Sequence, residues 1–251
     1  MKTPRSTRLL WLVVILILSL SCSIDMGTTP TEAPILIPPT AILQPTAIPP
    51  TPIPPPIDTP IPPTAVPTKG PTIIDDDFST DIGRFKCDNC VIDAGALTIG
   101  PFPMVDSWKP FVALCSDCGS HPNYKMSAET WYAAGNSNRG FGLVVRQDKK
   151  YIYLVAMSSW QLYTVFEFDQ TAGGGAGYRS LIGNWSKGGL GPGRAVHFVD
   201  ILMNNGSMTL TINKSFSRTI DIPSGSGEVG LWVGSWETSA SFDNFHYEEL
   251  P

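Results

Sequence analysis

The feature that most constrains this chain is apolar alternation with a period of two. In "RAVHFVDILMN" (Arg194–Asn204) and "SMTLTINK" (Ser207–Lys214) apolar side chains fall at alternate positions, and Asn205-Gly206 joins the two runs. Successive side chains of a strand point to opposite faces, so each run has one apolar and one polar face. Asn-Gly between such runs specifies a hairpin, because a type I′ turn needs positive φ at both central residues. The same period recurs in Gly140–Gln147, Tyr151–Ser158, Trp160–Phe168, Ser215–Ile222, Glu228–Trp236 and Ala240–Leu250. Earlier strands are expected at Ala96–Phe102, Pro110–Ser116 and Asn123–Ala133, and no window carries a sustained apolar face at helical spacing. Short strands at regular spacing with Gly-rich turns predict an all-β sandwich or barrel. The segment "DQTAGGGAGYR" (Asp169–Arg179) is too rich in glycine for a strand and is expected as a surface loop.

The N-terminal part cannot join such a fold. Residues 1–22 have a basic head (Lys2, Arg5, Arg8) and an apolar run from Leu9 to Leu20. That run is shorter than the ~20 residues a bilayer span needs, and the pattern is that of an export signal. A short uncleaved signal anchor is the alternative. The closing "LSLSC" resembles the bacterial lipobox, which implies lipidation of Cys22 and a membrane tether. Ser19 departs from the leucine that the lipobox prefers. Residues 23–72 form a Pro/Thr tract with a loose T-P-I-P-P rhythm. Proline lacks an amide proton and fixes φ, so neither helix nor sheet forms there. A disordered, semi-rigid polyproline II linker reaching on the order of 120 Å is expected, with a Pro-motif docking site as the alternative use.

Residues 73–251 are left for a single domain. From Pro71 onward 13 Lys and Arg stand against 19 Asp and Glu, a formal charge of −6. With no basic cluster, nucleic acid is excluded as an expected partner, because phosphate contacts need Lys and Arg.

The order of pieces is "DDDFST", "GALTIG", "RGFGLVVRQDKKYIYLVAMS", "MTLTINKS", "GEVGLWVGS" and "SFDNFHYEE". It resembles the concanavalin A-like lectin/glucanase domains, laminin-G-like domains among them. The resemblance implies a two-sheet antiparallel jelly-roll sandwich. It also implies that "DDF" pairs with "FDNF", bringing Phe78 near Phe242 and Asp77 near Asp243. In the glucanase branch an E-x-D-x-x-E strand aims three carboxylates into a cleft. Glu167 and Asp169 match its first two positions, and Ala172 stands at the third. The motif is therefore incomplete, and solvated carboxylates are the plainer expectation.

Cys87, Cys90, Cys115 and Cys118 form C-x-x-C twice. Four thiolates at about 2.3 Å would make a structural zinc site. In an exported chain an even set of cysteines is instead a disulfide framework, and four cysteines allow three pairings. Either role is structural. A solvated acidic edge is the plainer expectation for Asp75, Asp76, Asp77, Asp243 and Asn244, with Asp77 and Asp243 as hard oxygen ligands for calcium the alternative. His121, His197 and His246 carry no catalytic signature, although His121 lies close enough in sequence to Cys118 to assist a metal.

Aromatic side chains are the main functional lead, because flat rings with polar rims suit the C–H faces of sugars. Trp160, Trp185, Trp236, Tyr153 and Arg146 are the expected ligand-binding residues, with Trp232 in the core. By period two Trp232 and Trp236 share a face, and Arg146 lies opposite Val145. The expected function is non-catalytic binding of carbohydrate or another cell-surface polymer by a membrane-tethered extracellular module. A glycan-active hydrolase and a structural or protein-binding module are the alternatives.

Overall fold

A computed structural model of the chain describes residues 70–103, 109–172 and 174–251. Cys22, the signal segment, the Pro/Thr tract up to residue 69 and Trp108 lie outside the described residues.

The described residues form β1 (Ile73–Asp76), β2 (Phe85–Lys86), β3 (Cys90–Asp93), β4 (Ala96–Ile99), β5 (Phe111–Cys115) and β6 (Tyr124–Ala134). Then come β7 (Phe141–Gln147), β8 (Tyr151–Met157), β9 (Leu162–Asp169), β10 (Tyr178–Ser180) and β11 (Ser186–Lys187). The chain closes with β12 (His197–Asn204), β13 (Ser207–Ile212), β14 (Phe216–Asp221), β15 (Glu228–Val233) and β16 (Ser239–Glu249). One sheet has the order β14-β13-β12-β6-β16-β4-β3, with β1 also on β16. The other has the order β10-β9-β8-β7-β15-β5-β2, with β11 also on β9. Strand pairing in both is antiparallel, and the two sheets stack as a jelly-roll sandwich.

The expected hairpin joins β12 to β13. Asn205 and Gly206 have φ of +48° and +87°, as the turn requires, and a Cβ at Gly206 would stand 2.7 Å from the Ile222 carbonyl oxygen. Burial alternates along β12 and β13, so Val199, Ile201, Leu210 and Ile212 enter the core while their neighbours face out. The opening acidic segment pairs with the closing strand, Asp75 opposite His246 and Asp76 opposite Phe245. Phe78 and Phe242 share the central core.

β7 and β8 depart from simple alternation. They are buried almost continuously, because both faces of the second sheet are covered. One face meets the first sheet. The other carries a separate apolar cluster of Val144, Ile152, Leu154, Ala156, Phe168 and Trp232.

Two corrections to the strand reading bear on the site. A β-bulge interrupts β7 between Val144 and Arg146, and Arg146 stands opposite Tyr153, which belongs to the central core. The extra residue turns Arg146 to the same inner face as Val145, against the strict alternation expected. The glycine-rich segment also does more than loop across the surface. A short 3-10 turn at Gly174–Gly177 leads directly into β10, which pairs with β9. A Cβ at Gly177 would stand 2.7 Å from the Phe168 ring and 2.9 Å from the Asp169 carbonyl oxygen, so glycine lets the chain fold back flat on that strand.

Candidate functional site

Period two along β9 decides which side chains meet. Tyr163 and Val165 enter the central core, while Phe166 and Phe168 join the cluster on the outer face. Beside that cluster lies a cleft of roughly 410 Å³. Its aromatic lining is Phe166, Tyr178, Trp185 and Trp232, and its polar groups come from Asn138, Arg139 and Ser235. Trp232 forms the floor: it is only 2% exposed, and its indole N–H donates to the Val155 carbonyl oxygen at 2.9 Å. A Cβ at Gly140 would stand 2.9 Å from Trp232 and 3.3 Å from Trp185, so the two indoles approach over a bare backbone. Phe166 meets Trp185 edge to face at 5.8 Å and Tyr178 edge to face at 5.3 Å. These contacts fix the walls before any ligand arrives.

Arg139 is the charged residue of the lining. Its guanidinium carbon lies 3.9 Å over the Trp236 ring, and Gly234 leaves room for its stem. Burial draws its pKa below the ordinary guanidinium range. The Tyr178 phenol is pushed well above its ordinary value by burial, with the charge of Arg139 opposing in part. Among the described residues the arrangement offers flat apolar faces, hydroxyl and amide groups at the edge, and the charge of Arg139.

The structure distributes the expected ligand-binding residues unevenly. Trp185 lines the cleft. Trp236 sits behind it against Arg139, outside β15 and with φ of +73°, so it no longer shares a strand face with Trp232. Trp160 is 64% exposed and donates its indole N–H to the Ser137 hydroxyl at 3.3 Å, one residue from Asn138 of the lining. Tyr153 and Arg146 are corrected to interior roles. Tyr153 is 1% exposed and donates to Glu167 Oε2 at 3.0 Å; burial first, then that hydrogen bond, push its phenol up to about 12. Arg146 is 6% exposed, stacks on Tyr153 at 4.3 Å and donates to the carbonyl oxygen of Pro223. Trp232, expected in the core, is buried but on the outer face of its sheet.

Glu167 and Asp169 lie on the strand face opposite Phe166 and Phe168, away from the cleft. Glu167 is held by Tyr153 and by Arg179, whose Nε donates to Oε1 at 3.0 Å. Asp169 accepts from the hydroxyl and amide of Thr171, which hold its carboxyl below the usual range. The glucanase-like alternative, in which the pair aims into a cleft, does not fit this arrangement: Phe166 and Phe168 occupy the cleft side.

The cysteines are joined as Cys87–Cys90 and Cys115–Cys118, with Cα–Cα separations of 5.8 and 5.5 Å. The first pair clips β2 of one sheet to β3 of the other where the chain crosses between them. The second closes the turn after β5. Among the described residues no group of three or more His, Cys, Asp or Glu is placed to hold a metal ion. The described donor set thus fits neither the zinc alternative nor the calcium alternative at Asp77 and Asp243. Those two carboxylates do sense each other: Asp243 is raised by burial and then by Glu129 and Asp77, while the Ser79 amide lowers Asp77. His121 pairs with Glu249 at 3.0 Å and His246 with Asp75 at 2.7 Å. His197 is buried beside Asn213.

Sequence reasoning missed Arg139, Tyr178 and Phe166. For Phe166 the signal was present, since period two through Phe168 and Trp232 marks a second apolar face. Tyr178 is brought to that face only by the chain's return over β9, and Arg139 by the turn that leads into β7.

No protein-family model and no curated protein matches the chain. Among solved structures it is similar to the Bacillus licheniformis β-glucanase, with TM-score 0.50 and 8% identity over 73% of this chain and 100% of that one. It is also similar to the carbohydrate-binding module CBM66 from Bacillus subtilis, with TM-score 0.46 and 15% identity over 58% of this chain and 84% of that one. The GH43 protein BlXynB from Bacillus licheniformis gives TM-score 0.49 and 13% identity over 70% of this chain and 39% of that one. At such identities the likeness is one of fold. Strand order and the glucanase likeness together make the described residues a concanavalin A-like jelly-roll sandwich.

Proposed function

We infer that the protein is a non-catalytic carbohydrate-binding module, tethered to a membrane through Cys22 and held off it by the Pro/Thr tract. One observation carries the binding reading: an aromatic cleft with a polar edge occupies the outer face of the second sheet, and among the described residues no carboxylate lines it. Aromatic rings with a few placed polar groups recognise sugars by covering the apolar face and bonding the hydroxyls. Glycoside hydrolysis instead needs two carboxyl groups about 5–10 Å apart across the scissile bond. Glu167 and Asp169 turn to the other side of β9, which speaks against the hydrolytic alternative. The fold is shared with a β-glucanase, and that likeness supports a carbohydrate ligand without naming it.

The test is binding of the whole chain to a broad glycan panel, followed by calorimetric titration of the best ligand. Trp185→Ala is expected to weaken binding by about tenfold or more, as truncation of a central aromatic contact does, with the fold retained below a lowered melting transition and no release of reducing sugar by either protein. Silence across the panel, or binding indifferent to Trp185, would remove the reading.

A further inference from the structure

Trp160 is the most exposed of the large apolar side chains among the described residues, at 64%. A single apolar side chain on a surface needs no function by itself. What sets this one apart is how it is held. The turn between β8 and β9 that carries it closes on itself. Ser158 N–H donates to the Leu162 carbonyl oxygen at 2.9 Å and Gln161 N–H to the Ser158 carbonyl oxygen at 3.2 Å, with Gln161 at φ +66°. From one side Gly193 N–H donates to the Ser159 carbonyl oxygen at 3.2 Å. From another, the Ser159 hydroxyl donates to the Ser137 carbonyl oxygen at 3.2 Å, and the Trp160 indole N–H donates to the Ser137 hydroxyl at 3.3 Å. The last bond fixes one edge of the ring, so an indole open to solvent is nevertheless oriented. An aromatic side chain already oriented loses little conformational freedom when a ligand covers it.

Ser137 also ties this ring to the cleft, because it directly precedes Asn138, Arg139 and Gly140 of the lining. The segment is held in turn by Asn138 N–H donating to Asn136 Oδ1 at 3.0 Å and by the Thr238 hydroxyl donating to the Asn136 carbonyl oxygen at 3.1 Å. Trp185 approaches the backbone at Gly140, and Trp160 is bonded at Ser137. Three residues of chain span at most about 11 Å, so a few linked sugars can touch both rings. Trp160 stands outside the cleft lining, so a sugar seated on Trp185 does not cover it. The exposed Asn138 lies on the segment between them and offers an amide to sugar hydroxyls.

We propose that Trp160 is a second platform of the same site, and that the ligand is an extended run of a polysaccharide: one sugar lies against Trp185, Tyr178 and Phe166, and a later sugar of the same chain stacks on Trp160. This rests on the carbohydrate-binding reading and adds to it the length of the ligand. Two contacts made by one chain reinforce each other, because the first raises the effective concentration for the second. Affinity therefore grows with the number of linked sugars until both rings are covered.

The test is calorimetric titration of the whole chain with neutral probes of single length, the di- to hexasaccharides derived from cellulose, laminarin and xylan. In at least one series affinity is expected to rise about tenfold or more from disaccharide to hexasaccharide, the size of one good aromatic contact. Trp160→Ala should remove that gain and leave disaccharide binding unchanged, and Trp160→Phe should keep part of it. Both replace an exposed side chain and are expected to melt close to the wild type. Should the variants fail to fold, iodide quenching of wild-type tryptophan fluorescence decides: saturating hexasaccharide must shield more of it than saturating disaccharide, and equal shielding overturns the proposal. Affinity independent of chain length, a gain that survives Trp160→Ala, or an equal loss at every length also overturns it. In those cases weakened binding by Trp185→Ala would leave the carbohydrate reading standing. Silence of all three series overturns the extended-ligand proposal, and the broad panel then decides the wider reading.

Discussion

Replacing Arg146 with methionine is expected to weaken the fold while sparing the ligand. Methionine keeps most of the aliphatic stem and removes the guanidinium, which is buried between Tyr153 and the segment Pro223–Gly225. The charged donor's hydrogen bond to the Pro223 carbonyl oxygen contributes roughly 1.5–3 kcal/mol. The second contact, to Gly225 at 3.5 Å, is too long to add much. Stacking over the Tyr153 ring adds about 1 kcal/mol. Asp148, 3.8 Å from Nε and partly exposed, adds less than about 1 kcal/mol. Relief of a buried cation's desolvation offsets part of the loss. The net cost is about 2–3 kcal/mol, or a fall in melting temperature of roughly 5–10 °C for a domain of this size. Urea unfolding with an unchanged m-value would confirm that stability alone moved. Titration below the melting transition should give wild-type affinity. A variant that melts with the wild type but binds glycan about tenfold more weakly would refute this reasoning, because it would place the guanidinium in contact with ligand.

Two further outcomes follow. Burial lowers the pKa of His197 below its ordinary 6.5, so the unfolded chain takes up a proton before the folded one does. Its contribution is intact above about pH 6.5 and is lost as pH falls from there through the folded value. His197→Gln should remove that part of the slope in a pH series of denaturant midpoints, and an unaltered slope would count against it. For the proposed tether, Cys22→Ser should move the protein from the membrane to the soluble fraction and abolish metabolic labelling with fatty acid. Retention in the membrane fraction would point to an uncleaved anchor.

Much of the strand pattern could be read directly. Where one face of a strand is wet and the other dry, as in β12 and β13, alternation is the physical signature of the fold, and the turn between them needs only the φ preferences of Asn and Gly. The short edge strands were harder. β2, β10 and β11 have two or three residues each and exist because a neighbouring strand offers unpaired backbone groups. The site was legible only in part. Trp185 was expected by residue type; Arg146 faces inward because a bulge in β7 reverses the face that simple alternation assigns, and Tyr153 lies on the core face of β8. Glu167 keeps its spacing from Asp169, and the aromatic neighbours on either side of it line the cleft instead.

By itself, then, the sequence determined that the fold is built of strands and which alternate positions of β12 and β13 face the core, since side-chain periodicity is a local property of the chain. Only the tertiary structure decided that the chain returns over β9, bringing Tyr178 to Phe166 and setting both beside Arg139 and Trp185. Those contacts join residues far apart in sequence, and the register, bulge and sheet stacking that create them emerge from packing the whole core at once.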